Sequence, residues 1–431
     1  MKSEKLRRRI MNTRKYMITI VKVLPILFTF HFSLFTSSCG SRQTTASQEA
    51  GDTVVFKYAT QLSIVRYKDY TEVVVKNPWK EGKILHSYLL VPDSIDPQDI
   101  SPSSFLLPPS STSTIVRTPL RRSVMFTTVH CAMLMSLGCE QSIAGVADLK
   151  YIKIPWIHEQ VKAGRITDVG EGMSPVVEKI IDQRPDALFL SPFENSGGYG
   201  RLEEIGIPII ECAEYMEPSP LARAEWLRFY GMLFGCEARA DSLFAVVDSS
   251  YCALRARWYE GTGARGHENT SEADGNLAPP HHRTTVPTKT PSVLLDKVTG
   301  SVWYVPGGRS TIGQMIQDAG GNYPWADDDH SGSVSLPFEA VLEKAGEADV
   351  WLFRYSSDHD ITPDELLSEH HGYDQFKAFR SGEIYGCDVE RSLFYEESPF
   401  RPDWLLGDYI HILHPDIPDL PPLRYYKKVK R

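Results

Sequence analysis

The feature that most constrains this chain is one long amphipathic segment in its middle. From Cys236 to Tyr259 the apolar residues Ala240, Leu243, Phe244, Val247, Tyr251, Leu254 and Trp258 step by three and four. That spacing puts them on one face of a helix. At 1.5 Å per residue, about 24 residues span roughly 36 Å, enough to run beside two domains. The segments on either side share one grammar of short apolar runs alternating with helical stretches, which points to parallel α/β architecture. Before it come the strands Ser123–Phe126, Ile143–Val146, Ala187–Leu190 and Ile207–Ile210. The helices there run from Thr127/Thr128 to Leu137, stopped by Gly138, and over Pro175–Asp182. After it come the strand Ser301–Val305, a helix Thr311–Ala319 closed by Gly320-Gly321, a helix Pro337–Lys344 and the strand Val350–Phe353. The openings Ser123–Phe126 and Ser301–Tyr304 correspond, as do the helix starts Ser174–Glu178 and Ser335–Glu339. Two similar lobes on one strut is the economical reading.

The N-terminus has a separate job. Residues 1–38 carry eight basic groups and one acid ahead of and within the apolar run Ile18–Phe35, which Lys22, Pro25 and His31 interrupt. This is the layout of an export signal rather than of a spanning helix, and Met11 opens a second, more conventional version of it. Without these residues, 38 basic groups face 54 acidic ones, a net of −16. Such a surface repels phosphate backbones and argues against nucleic acid as a partner. Thr36-Ser37-Ser38-Cys39-Gly40 resembles a bacterial lipoprotein cleavage box, which would make Cys39 the lipidated end and tie the chain to a membrane. Gly40-Ser41-Arg42-Gln43 lacks the acidic run that resembles a surface-export tag, which favours an inward-facing anchor over a surface adhesin.

Seven cysteines with no C-x-x-C spacing indicate neither zinc nor a dense disulfide framework, while leaving room for one or two disulfides in an oxidising periplasm. H-E-x-x-H, G-x-S-x-G and phosphate-loop patterns are all missing, so no nucleophile, catalytic pair or cofactor is nominated. Asp327-Asp328-Asp329-His330 fits no calcium loop, and His281-His282 sits in a polar stretch that reads as solvated. No metal site is expected.

Several segments resemble the periplasmic substrate-binding proteins of bacterial ABC importers for iron-siderophore, haem and cobalamin. They are Met135–Gly138 with Ile143–Val146, Val169–Gly172 with Glu178–Leu188, and Leu202–Pro208. The second half adds Ala319-Gly320-Gly321 and Phe338–Leu342. Residues 52–92 and the ending Pro402–Leu406 with His414-Pro415 look like a Bacteroides-type subgroup. The resemblance implies an α/β fold of two Rossmann-like lobes joined by a single long backbone helix, with a small N-terminal β extension. The expected layout is a signal at 1–38, a tether at 39–51, the extension and a loop at 52–113, and a first lobe at 114–235. The linking helix at 236–260, a polar insertion at 261–291 and a second lobe at 292–431 follow.

The resemblance also implies roles for residues. Glu178 and Glu339, in corresponding first turns, would dock onto arginines of the permease, which works with its ATPase; acids there also meet the helix dipole favourably. A cleft at the carboxyl ends of strands would draw on Phe193, Glu194, Tyr199 and Tyr215 from the first lobe. The second lobe offers Trp303, Tyr304, Arg309, Arg354, Tyr355, Phe394, Tyr395 and Arg401. Aromatics would stack on a bulky chelate and arginines pair with its anionic oxygens. His130 is a candidate axial ligand to haem iron or cobalt, or a capping histidine. The expected function is delivery of an iron complex, siderophore or haem, by a monomeric receptor. The alternatives are cobalamin binding or, on the same frame, a tetrapyrrole metal chelatase using His130 as base. A continuous helix between lobes implies little hinge motion.

Overall fold

In the computed structural model the periodic segment forms one helix, Glu237–Thr262, about 39 Å long at 1.5 Å per residue. The structure describes residues 51–96, 113–194, 198–262 and 290–430, with side chains left undescribed at 258–262. All of them lie in one compact unit, Glu49–Arg431. Cys39, the signal and most of the polar insertion fall outside the described residues. No described helix is long and apolar enough to cross a membrane.

The linking helix buries Ala240, Phe244, Val247, Tyr251 and Leu254, as its periodicity requires. It lies against the helix Leu227–Phe234 of the first lobe and Pro402–Leu413 of the second. Tyr251 donates from its hydroxyl to Asp318 Oδ2 at 2.6 Å, tying the strut to the second lobe.

The first lobe holds a five-stranded, wholly parallel sheet. Its order is Ile209–Glu211, Ala187–Leu190, Ser123–Met125, Ile143–Val146, Thr167–Asp168. The central strands are buried throughout, as expected of a sheet with helices on its faces. The helix Thr128–Leu137 ends at Gly138, whose φ of 67° is the left-handed conformation that glycine adopts without a Cβ penalty. The second lobe contains a four-stranded sheet ordered Val293–Leu295, Val350–Tyr355, Ile384–Asp388, Tyr426–Lys428, antiparallel only at its last pair. A separate antiparallel sheet joins Val298–Thr299, Val302–Pro306 and Ser333–Leu336.

Two expectations need correction. The openings of the two lobes are not equivalent: Ser123–Met125 is central in a parallel sheet, whereas Val302–Pro306 is in the antiparallel one. The second lobe's first parallel strand is the three-residue Val293–Leu295, too short to announce itself by pattern. The boundary at 113/114 also cuts a strand. Ser113–Thr118 pairs in parallel with Ile84–Pro92 and completes the extension's sheet, whose other strands are Asp52–Val54, Leu62–Arg66 and Thr71–Lys76.

The stretch from Val55 to Gln61 is outside the sheet, and the N–H groups of residues 57–61 are accepted by two buried acids. Glu225, 1% exposed, accepts the N–H groups of Lys57, Tyr58 and Ala59 at 2.7–2.8 Å. Glu217 accepts from Thr60 and Gln61 and from the indole of Trp226 at 2.8 Å. These charge-assisted bonds fasten the extension to the first lobe across more than 150 residues. Glu225→Ala should therefore leave three partly buried donors without their acceptor and lower stability by about 1–3 kcal/mol. Denaturant titration with limited proteolysis checks this; unchanged stability and an intact 51–96 segment would contradict it.

Candidate functional site

The first-lobe sheet ends, at the carboxyl side of its strands, in a cavity of about 570 Å³. Phe126 and Thr127 follow the central strand, Asp148 follows Ile143–Val146, and Leu190 ends Ala187–Leu190 with Ser191 and Phe193 beyond it. The short hairpin Gly170–Glu171/Ser174–Pro175 supplies Met173 at its tip, 85% exposed. Local backbone is specialised here. Asp148 sits in the left-handed region at φ 53°, and a Cβ on Gly172 would stand 2.6 Å from Asp148 Oδ2. A side chain at 172 would have to push the Asp148 carboxylate aside.

Tyr199 closes one wall and donates from its hydroxyl to Glu211 Oε2 at 2.5 Å. Glu211 ends the edge strand, its N–H donating to the Tyr88 hydroxyl of the extension at 2.8 Å. Burial pushes its carboxyl up to about 7, against the Tyr199 hydrogen bond and aided by the charge of Glu203. Beyond Phe193 and Tyr199 lies a smaller cavity of about 240 Å³, walled by Trp79, Lys80 and Leu85 of the extension, with Glu194 at its edge.

A third cavity, about 200 Å³, lies between the lobes. Pro220 and Arg223 come from the first lobe, and Pro306, Ser310, Arg354 and Ser398 from the second. The Nε of Arg223 is buried without a hydrogen-bond partner among the described residues. Arg354 makes a two-pronged contact with Asp296, Nε to Oδ1 at 2.8 Å and Nη2 to Oδ2 at 2.6 Å. Its guanidinium carbon lies 5.9 Å from the ring centres of both Phe394 and Tyr395. Near these cavities the lobes are pinned by Glu396, whose Oε1 accepts the Thr128 hydroxyl at 2.9 Å and the Lys153 N–H at 3.2 Å. Lys153 Nζ also meets Glu390 at 2.5 Å.

The expected site residues divide accordingly. Phe193 and Tyr199 come together on the first-lobe cavity, and Arg354, Phe394 and Tyr395 form a group in the second lobe. Tyr215 stands behind the first group, its hydroxyl donating to the Pro192 carbonyl. Tyr304 is half-exposed on the antiparallel sheet, and Arg309 is exposed near Asp329 at 3.9 Å. Neither lines the cavities above. Four expectations are corrected by burial and pairing. Trp303 is wholly buried against Trp351, Tyr373 and Phe376, its indole donating to the Leu295 carbonyl. Tyr355 is buried beside Phe353. Arg401 pairs with Asp403 and stacks on Trp404 at 3.7 Å, with Arg424 also over that ring at 3.8 Å.

His130 is fully buried rather than open to a cleft. Its Nδ1 meets the Thr127 hydroxyl at 2.5 Å, and its Nε2 faces Tyr230 Oη at 3.3 Å and Glu214 Oε1 at 3.4 Å. Burial opposes ionisation of Glu214, yet His130 and Arg223 hold it below the usual carboxylate range. With Cys212, these residues place three possible ligand atoms within 4.8 Å of one another. Tyr230, donating to Glu214 at 2.9 Å, already occupies that centre. The group forms an internal network that engages both ring nitrogens of His130 inside the lobe, instead of presenting the ring to the cavity.

Sequence reasoning missed Asp148, Met173, Arg201 and Arg223. Met173 adjoins the Val169–Gly172 motif, so the motif carried the signal for it; Arg223, inside an ordinary-looking Pro220–Glu225 helix, carried none.

With this geometry in view, comparison with known proteins is decisive. The periplasmic binding protein family model matches residues 127–265 and 261–390. The chain belongs to the periplasmic binding protein family. It is 24% identical over 392 residues to an uncharacterized lipoprotein of Methanocaldococcus jannaschii, covering 85% of this chain and 84% of that one. A second uncharacterized lipoprotein of the same organism is 24% identical over 406 residues, covering 90% and 94%. Among solved structures, a periplasmic haem-binding protein from Pseudomonas aeruginosa superposes with a TM-score of 0.54 at 16% identity, over 72% of this chain and 99% of that one. The apo periplasmic haem-binding protein of Roseiflexus sp. RS-1 gives 0.50 at 19% identity, over 68% and 98%. For this periplasmic binding protein, the two-lobed α/β fold expected from sequence is the fold found.

The raised Glu211 carboxyl makes a signed prediction. In the unfolded chain this group ionises near its ordinary 4.5, and in the fold only near 7. The folded state therefore holds the extra proton between those values, and stability falls as pH rises through that window. Glu211→Gln should match the native protein at pH 4.5 and exceed it above pH 7, by about 1–3 kcal/mol. Melting curves across this range decide; an identical pH dependence in both proteins would contradict the assignment.

Proposed function

We infer that this chain is a lipid-anchored receptor of an ABC importer, which captures a metal chelate and passes it to the permease. The observation that carries the reading is the cavity of about 570 Å³ at the carboxyl ends of the parallel strands, within a two-lobed frame. Its size fits a bulky organic ligand rather than a bare ion. Its wall mixes Phe126, Met173, Phe193 and Tyr199 with the polar Thr127, Asp148 and Ser191, a surface suited to stacking with a few fixed polar contacts. The haem-binding names of both superposed proteins support an iron complex, haem or siderophore, with cobalamin the alternative. The lipoprotein names of the relatives support Cys39 as anchor.

Glu178 and Glu339 suit permease docking because both are exposed in the first turns of helices Val177–Asp182 and Phe338–Ala345. Glu178 is held acidic by its own backbone N–H and then by Arg201 at 3.1 Å. A permease arginine would compete with Arg201 for it.

Titration of the purified full chain with haem, a ferric hydroxamate and cobalamin, followed by visible absorption and calorimetry, tests the reading. One of the three should saturate at a single site with little change in solution scattering; folded protein that binds none would refute it. Phe193→Ala should weaken that binding roughly tenfold, about 1–1.5 kcal/mol. The pair Glu178→Ala and Glu339→Ala should leave binding intact but reduce delivery to a reconstituted permease. Equal delivery by the double variant would remove these residues from docking.

A further inference from the structure

Cys139 and Cys236 lie 97 positions apart in sequence, yet their Sγ atoms stand 3.3 Å apart. The geometry points to a covalent modification site: these two half-buried thiols are oxidised to an intramolecular disulfide that staples the end of the helix Thr128–Leu137 to the root of the linking helix.

Both backbones are already fixed in place. Cys139 follows the left-handed Gly138, and its N–H donates to the Leu134 carbonyl at 2.8 Å, closing the end of the helix. The Cys236 carbonyl accepts from Arg239 and Ala240 at 3.1 and 3.0 Å, opening the linking helix, and its own N–H donates to Gly231 at 2.9 Å. A disulfide bond is about 2.05 Å long, so the sulfurs need to close by only about 1.3 Å, within reach of small side-chain rotations. Arg239 completes the setting. Its Nε donates to the Ser136 carbonyl at 3.2 Å, and its guanidinium lies against Gly138. Burial, then the contact with Cys139, pushes the Cys236 thiol up to about 12, while Arg239 acts in the opposite direction. The remaining described cysteines are placed differently. Cys131, Cys212 and Cys387 are buried, and Cys252 donates to Asp248 on its own helix.

The chemistry needs an oxidant, here a disulfide-bearing thiol oxidoreductase or oxidised glutathione. One cysteine thiolate attacks a sulfur of that disulfide and expels a thiol, leaving a mixed disulfide on the protein. The second thiolate attacks the protein's sulfur in that mixed disulfide and expels the second thiol. Two electrons and two protons pass from the cysteine pair to the oxidant, so one disulfide is consumed and one is formed. The ring so closed contains every strand of the first-lobe sheet except Ser123–Met125. The inference does not depend on which ligand the cavity takes.

The test equilibrates purified full chain with oxidised glutathione, alkylates it in denaturant with N-ethylmaleimide, and maps peptides without reduction. The peptides bearing Cys139 and Cys236 should appear joined, two hydrogens lighter than their sum. Reductant should then lower the melting temperature by roughly 5–10 °C. Cys139→Ser should show no such shift. Recovery of both cysteines as alkylated species, a link from either to another cysteine, or an equal reductant shift in Cys139→Ser would overturn the proposal. The peptide map uses unaltered protein, so it stands even where the variant folds poorly.

Discussion

Peripheral pieces of this molecule are held by one repeated interaction, a buried carboxylate on a helix or its approach that accepts the peptide N–H groups of a distant segment. Glu225 holds residues 57–59, Glu217 holds 60 and 61, and Asp408 holds the N–H groups of Arg424, Tyr425 and Tyr426 at 2.7–3.0 Å. None of the three acids is more than 4% exposed. Removing a carboxylate from water is expensive, and so is burying an unpaired amide. Each group cancels the other's cost only in one geometry, so the arrangement specifies position more than it adds net stability. Asp408 and Glu217 show this in their acidity: burial raises both carboxyls despite their hydrogen bonds. The extension and the C-terminal strand are thus registered on the lobes by charge and direction as well as by apolar contact.

The same device governs the contact between lobes. Glu396, 2% exposed, reaches from the second lobe to the Thr128 hydroxyl and the Lys153 N–H of the first. Tyr230 and Phe400 add an edge-to-face contact across the same seam, with ring centres 5.9 Å apart. Together with the continuous linking helix, these contacts tie the two lobes to each other.

How much of this was legible in sequence depended on the range of the signal. The linking helix was readable because seven apolar residues keep one period over about five turns, and the inner first-lobe strands because each is mainly apolar; the edge strand Thr167–Asp168 has no apolar residue and gave no signal. The strand Val293–Leu295 is three residues long and carries no period. Trp303 and Tyr304 illustrate a subtler loss. Alternation along a strand guarantees that one points inward and the other outward, but not which faces the core, and it is Trp303 that is buried. His130 is legible as lying near a helix start, yet its meaning comes from Glu214 and Tyr230, 84 and 100 positions away. Arg401 is the opposite case: its partner Asp403 and the ring of Trp404 are two and three residues on, so the stack was within reach of local spacing.

The segment from Phe394 to Pro402 connects the lobe contact to the binding geometry. Glu396 fastens the lobes, Phe394 and Tyr395 flank Arg354, and Ser398, Pro399 and Pro402 wall the interlobe cavity. On the other side Thr127 lines the first-lobe cavity, and its neighbour Thr128 donates to Glu396. One short stretch therefore feels both cavities. Separating the lobes there would break the Thr128–Glu396 bond and leave a carboxylate buried with fewer donors, at a cost of about 1–3 kcal/mol. The seam between the lobes is in this way set by a polar pair that lines neither cavity.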